Sequence, residues 1–293
     1  MLWRICREHA ILLHGPAAAV LQVAHPRIGL GVLQHSDFET DPLARLMRTL
    51  DAVYTMAFGT QAEALAAAAR IRKIHQRVRG DAAAYEVAGN ASYTALEPDL
   101  LMWVIATMIV SSVEGYERAV APLCLDQKQR FYLEMRQLGT MFDLPAEFGP
   151  QAWPSFIAYW HEQLANPQLG AHRISRRVAW AVARPSHSLW LRISSLPLMF
   201  MFSEIIPQPV RERLGFRSTA ISRILLAIST AAIRLFVKIG PKRLRFPPHY
   251  LRAMQETSSP CTASGHPLPS AHRPNTTSPD VSAAGRTSST RVC

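Results

Sequence analysis

The chain has 293 residues, 48% of them hydrophobic, enough for one large domain or two small ones with a sizeable core. Thirty-two Lys and Arg against 21 Asp and Glu leave a formal charge of +11, which favours anionic partners: a membrane surface, nucleic acid, an acidic substrate or the acid groups of a cofactor. The four cysteines, Cys6, Cys124, Cys261 and Cys293, are far apart with no CxxC pair, which argues against structural zinc and a disulfide framework and fits a reducing cytoplasm.

The N-terminus, Met-Leu-Trp-Arg-Ile-Cys-Arg-Glu-His, enters an amphipathic segment directly, with no signal-peptide core and no twin-arginine motif. Residues 3–33 read as a helix, a turn at Gly15-Pro16 and a second helix, and Pro26 is expected to kink or break the apolar run from Ala17 to Val32. His9, His14, His25 and His35 read as polar residues scattered around a core, with His25 or His35 as weaker functional candidates.

Two helices follow. Asp41 is placed to cap the first and Pro42 to occupy its first turn. Leu43, Leu46, Met47, Leu50, Val53, Tyr54 and Ala57 form its apolar face, while Arg45, Arg48 and Thr49 share a neighbouring face at i, i+3 and i+4. Thr60 and Glu63 have capping-box spacing at the start of the second helix, and Gly80 is placed to end it. Leu65, Ala68, Ile71, His75 and Val78 form the inward stripe, with Arg79 one turn beyond His75. A histidine facing a core needs a partner for its ring nitrogens: a hydrogen bond, a proton site or a metal. On pattern alone, a satisfied core histidine beside a solvated arginine face is the simpler reading.

Glycine and alanine mark a loop around 80–91, and Glu97-Pro98-Asp99 starts a helix. Its run from Leu100 to Val113 is apolar all round but too short to span a bilayer before Glu114, Glu117 and Arg118, so a central buried helix is expected. Trp103 and Thr107 are candidates to face a cofactor cavity, with plain core packing as the alternative. Asp126 caps the next helix, which buries Phe131, Tyr132, Met135 and Leu138 and ends near Gly139 and Leu144-Pro145. A short basic amphipathic helix is expected at 171–183, with Arg173, Arg176 and Arg177 solvated.

The apolar stretch from Leu189 to Ile206 contains Arg192 and Glu204, and a turn and short helix follow Pro207. The helix from Thr219 to Ile239 carries Arg223, Arg234 and Lys238. Charges interrupt both spans, so neither is expected to cross a membrane, although a basic amphipathic helix can lie on an anionic surface. No strand-like alternation, internal repeat or Gly-rich phosphate loop is present. Ser, Thr, Pro, Ala and Gly dominate residues 255–293, which read as a disordered tail after a single domain, 1–254.

Residues 22–80 resemble the family of latex-clearing protein, a bacterial rubber oxygenase, and the fungal MpaB oxygenase. The matching text is Gln-Val-Ala-His-Pro at 22–26, His-Ser-Asp-Phe at 35–38, Asp-Pro-Leu-Ala-Arg-Leu-Met-Arg-Thr at 41–49, Phe58-Gly59, and His75-Gln-Arg-Val-Arg-Gly at 75–80. The likeness continues more weakly to about residue 250 and takes in the segment at 153–162, which by that resemblance is helical. It implies an all-α, globin-like multi-helix domain around a b-type haem, which uses dioxygen to cleave carbon–carbon double bonds in an apolar, isoprenoid or lipid-like substrate. It makes His75 the iron ligand, places Arg79 one turn after it, and makes Arg45 and Thr49 distal-side groups. Arg48 stands where rubber oxygenases have a lysine that can occupy the distal iron position, and arginine cannot lose its proton to do so. No residue matches the glutamate proposed as their base.

The resemblance therefore predicts haem b held by His75, Arg79 and Arg45, with Arg45, Arg48 and Thr49 around the bound oxygen. The expected partners are dioxygen and a small apolar substrate, with no nucleic acid and with peripheral membrane contact as a secondary expectation. The alternative is a non-enzymatic basic helical module for a membrane surface or nucleic acid, resting on net charge and on Arg70, Arg72, Lys73, Arg77 and Arg79. Non-haem iron or zinc is a weaker third, for want of a His/carboxylate pair at ligand spacing.

Overall fold

The computed structural model describes residues 1–36, 42–87, 92–183 and 196–258. Asp41 and the tail from residue 259 onward lie outside the described residues. Helix α1 (Leu2–Cys6) leads through a 3-10 segment (His9–His14) into α2 (Gly15–Ala24) and α3 (Pro26–His35). Pro26 breaks the apolar run as expected: His25 is extended (φ −70°, ψ 122°) and a new helix starts on the proline. Gly15-Pro16 is not a turn but opens α2, where the missing proline N–H has no helical partner to lose.

Helices α4 (Pro42–Phe58) and α5 (Gln61–His75) form a hairpin joined by Gly59-Thr60. The capping box is present: Glu63 N–H donates to Thr60 Oγ1 at 3.3 Å, and Thr60 N–H donates to Glu63 Oε2 at 2.8 Å. Neither apolar stripe is fully covered, since Leu46, Met47 and Leu65 are more than half exposed, as is Ile74.

The end of α5 departs from expectation. The helix stops at His75, and the chain becomes extended in β1 (Arg79–Asp81), antiparallel to β2 (Ser92–Thr94) with Gly80 opposite Tyr93. Strands of three residues are too short to show an alternation in sequence. Gly80 is therefore no helix stop. A Cβ there would lie 2.8 Å from Gln34 Oε1 and 2.9 Å from the Tyr93 ring, so the position needs a residue without a side chain.

Helix α6 (Pro98–Ala119) is the buried centre, as its all-round apolar run requires. Around it lie α7 (Leu125–Thr140), α8 (Trp153–Ala165), α9 (Arg173–Ala183), α10 (Leu196–Ser203), α11 (Gln208–Leu214), α12 (Ala220–Ile239), α13 (Lys242–Arg245) and α14 (Pro248–Ser258). The fold is all-α apart from the short β ladder, and α14 continues past the expected boundary at 254. Cys124, not Asp126, is the N-cap of α7.

Trp103 Nε1 donates to the Leu21 carbonyl at 3.0 Å and its ring stacks on Trp160 with centroids 5.3 Å apart. Thr107 Oγ1 donates to the Val104 carbonyl at 2.7 Å and accepts from Gln22 at 3.2 Å. Both side chains tie α6 to its neighbours rather than face a cavity. One buried ion pair closes the domain: Glu8 is fully buried and accepts from Arg245 Nε at 2.6 Å and Nη2 at 2.7 Å.

The membrane expectation needs one correction. Arg223, Arg234 and Lys238 are far enough apart that α12 keeps an 18-residue window of mean hydropathy 1.8, so α6 and α12 are both long and apolar enough to cross a membrane by length and composition. They differ in burial: 72% of the α6 window is inside the protein but only 17% of the α12 window.

Candidate functional site

The two-residue turn between α4 and α5 folds the second helix back along the first. Arg45 and His75 lie at similar distances along the chain from that turn, so both come to the open end of the hairpin. Arg48 and Thr49 lie nearer the middle of α4, so four of the five expected site residues, Arg45, Arg48, Thr49 and His75, belong to one helical pair, with only Arg45 and His75 near its open end. Arg79 separates from them. It lies on exposed β1, where its carbonyl is hydrogen-bonded to His35 Nε2 at 3.1 Å, so the spacing of one helical turn from His75 does not hold.

His75 is partly exposed, but its Nδ1 is buried and has no hydrogen-bond partner. Burial pushes the imidazole pKa down, which keeps the ring neutral at physiological pH. A neutral imidazole is the form that binds a metal.

Arg45 is the second anomaly. Burial lowers its guanidinium pKa, the like charge of Arg48 lowers it further, and no carboxylate pairs with it among the described residues. A desolvated cation beside another cation is a poor arrangement unless an anion completes it. Arg48 is exposed. Thr49, also exposed, donates its hydroxyl proton to the Arg45 carbonyl at 2.9 Å, so in this rotamer that proton is committed to its own helix.

These residues fit a haem in kind. A haem needs one protein ligand to iron and cations for its propionates, which matches one imidazole with an orphaned nitrogen and two guanidinium groups that no acid pairs with among the described residues. Among the described residues no group of three or more His, Cys, Asp or Glu side chains is placed to hold a metal ion on its own.

Two cavities lie elsewhere. One of about 600 Å³ is lined by Arg79, Gly80, Tyr93, Thr94, Glu97 and Asp99, among others. A smaller one of about 290 Å³ adjoins it through Glu97 and Asp99 and reaches His25, Arg27 and Gln163. Neither is lined by His75, Arg45, Arg48 or Thr49. His25, a weaker candidate from the sequence, lines the smaller cavity: its Nδ1 is buried without a partner among the described residues, and burial with the Arg27 charge holds its pKa down at about 4. The signal was present as the His-Pro step within the matching text. The Arg27–Glu97 ion pair beside it had no signal, because its members are seventy positions apart in sequence.

The chain belongs to the family described as ER-bound oxygenase mpaB/B'/rubber oxygenase, catalytic domain, whose model matches residues 3–235. The match covers nearly all of the helical domain. Two curated relatives are uncharacterized mycobacterial proteins, Mb2261 of Mycobacterium bovis and Rv2237 of Mycobacterium tuberculosis. Each is 27% identical over 161 residues, covering 53% of this chain and 61% of the relative. The chain thus spans about three-fifths of the length of these relatives. No solved structure matches it.

Proposed function

We propose that this protein is a haem b-dependent oxygenase that uses dioxygen to oxidise a small apolar substrate, of unsaturated isoprenoid or lipid-like character. The observation that carries the reading is the pair Arg45 and Arg48: a half-buried guanidinium with a second one on the same helix and, among the described residues, no acid paired with either. His75 supports it as a neutral ring with an orphaned nitrogen at the same end of the hairpin.

In this reading His75 would hold the haem iron through its imidazole, and Arg45 and Arg48 would bind the propionates or stabilise charge on the reacting oxygen. When bound, haem supplies the oxygen chemistry, and the protein sets access and polarity. Thr49 acts as an acceptor while its proton stays on the Arg45 carbonyl, and becomes a donor only by changing rotamer. Arg48 cannot take the place of a neutral amine ligand, since its guanidinium stays protonated. Leu46, Met47, Leu65 and Ile74 offer apolar surface on the same two helices for a porphyrin or a substrate to cover.

The test is the absorption spectrum of the full chain expressed with adequate haem. A Soret band is expected, and His75→Ala should abolish it while far-UV circular dichroism stays helical. A colourless protein that does not titrate with added haem overturns the proposal and returns the non-enzymatic module.

A further inference from the structure

Helix α12 packs on the domain by one side only. Ser222, Leu226 and Val237 are buried, and Arg234 Nε donates to the Arg118 carbonyl at 2.6 Å, which ties the helix lengthwise along α6. The opposite side carries Ile221, Ile224, Ile228, Leu235 and Ile239. Steps of 3, 4, 7 and 4 place them in one row, and each is 57–74% exposed. Leu244 on α13 extends the row and is also mostly exposed. Five β-branched or leucine side chains in one uncovered row are far more apolar surface than scattered exposed residues account for.

Charge says what covers it. From Arg213 to Gln255 the sequence has nine Lys and Arg and no Asp or Glu. Arg223, Arg234 and Lys238 follow one edge of the apolar row, and Lys242 and Arg243 flank Leu244; all five are exposed. We propose that the outward face of α12, continued by α13, seats the protein on an anionic bilayer. The isoleucines enter the boundary between headgroups and acyl chains, and the basic edge binds lipid phosphates. Long basic side chains suit that edge because their stems lie along apolar surface while the charge reaches the headgroups. The helix lies in the interface and does not span it, because its buried side packs against α6 and α10. A second copy of the chain is a poorer partner, since pairing the rows brings two basic edges together.

The proposal is independent of haem binding, and either can fail alone. Full-length protein is sedimented with phosphatidylcholine vesicles, with and without about one-third phosphatidylglycerol. Binding is expected to the anionic vesicles at low salt and to weaken as salt is raised. Ile224→Asp with Ile228→Asp should reduce it at least about tenfold, since two apolar insertions are lost. In a separate variant, Ile228→Trp, the tryptophan emission should shift to the blue on adding anionic vesicles, a readout that does not require the Asp variant to fold. Failure to bind at low salt, binding unaffected by the double substitution, or a dimer that the substitution dissolves without any vesicle binding would each overturn it.

Discussion

Glu8 shows how much one side chain can carry. Its carboxylate is fully buried and is neutralised by the forked guanidinium of Arg245, 237 positions later, so it locks the first and last described parts of the chain together. Glu8→Gln keeps the shape but places amide hydrogens against guanidinium hydrogens and leaves Arg245 without its counter-charge. The variant should lose about 3 kcal/mol of stability, measurable by urea denaturation, because a broken buried pair leaves an uncompensated charge. The same logic, read in reverse, makes Arg45 informative: among the described residues no carboxylate pairs with it, which is what the proposed cofactor's acid groups would supply. The sequence showed that Arg45, Arg48 and Thr49 share a face. It could not show that burial and mutual repulsion make Arg45 a cation in want of an anion, since burial is a property of the assembled hairpin.

At the scale of elements, boundaries written in local chemistry were legible. Pro26, Pro98 and the Thr60/Glu63 box each start a helix where their backbone preferences require it. Gly80 misled because glycine serves both helix ends and close contacts, and only the approach of Tyr93 and Gln34 distinguishes the two. Gly29 in α3 gives a test of the second role. A Cβ there would stand 2.9 Å from the Val23 backbone carbonyl, which must move, and already in contact with Ser175 Cα on α9 at 3.5 Å, which leaves it no room on that side. Gly29→Ala should destabilise by about 1–3 kcal/mol despite the better helix propensity of alanine, with a lower midpoint in thermal unfolding as the measure.

Taken as a whole, the molecule should be acid-sensitive. His14 is fully buried with neither ring nitrogen hydrogen-bonded; the Glu114 carboxylate at 3.8 Å is too distant to compensate, and burial with the Arg118 charge holds the pKa down at about 4. His25 is held at about 4 as well, and His75 is lowered by burial. The unfolded chain therefore takes up the His14 and His25 protons near the ordinary value of 6.5, while the folded chain resists them until about pH 4. Stability is full above about 6.5 and falls progressively between there and about 4, with His14 alone contributing about 3 kcal/mol to the loss. Urea midpoints measured across that window should drop as pH falls, and His14→Gln should flatten the slope.

By itself the sequence determined the helical architecture, the central helix and the family, because periodicity, capping and ordered motifs are local properties of the chain. Tertiary structure alone decided that α5 stops at His75 and moves Arg79 away from it, and that Arg45 is half-buried with no carboxylate paired to it among the described residues. It also decided that α12 leaves its apolar row uncovered. Each of these depends on what packs against a residue from elsewhere in the chain, and hydropathy cannot tell a face that meets protein from one that meets something else.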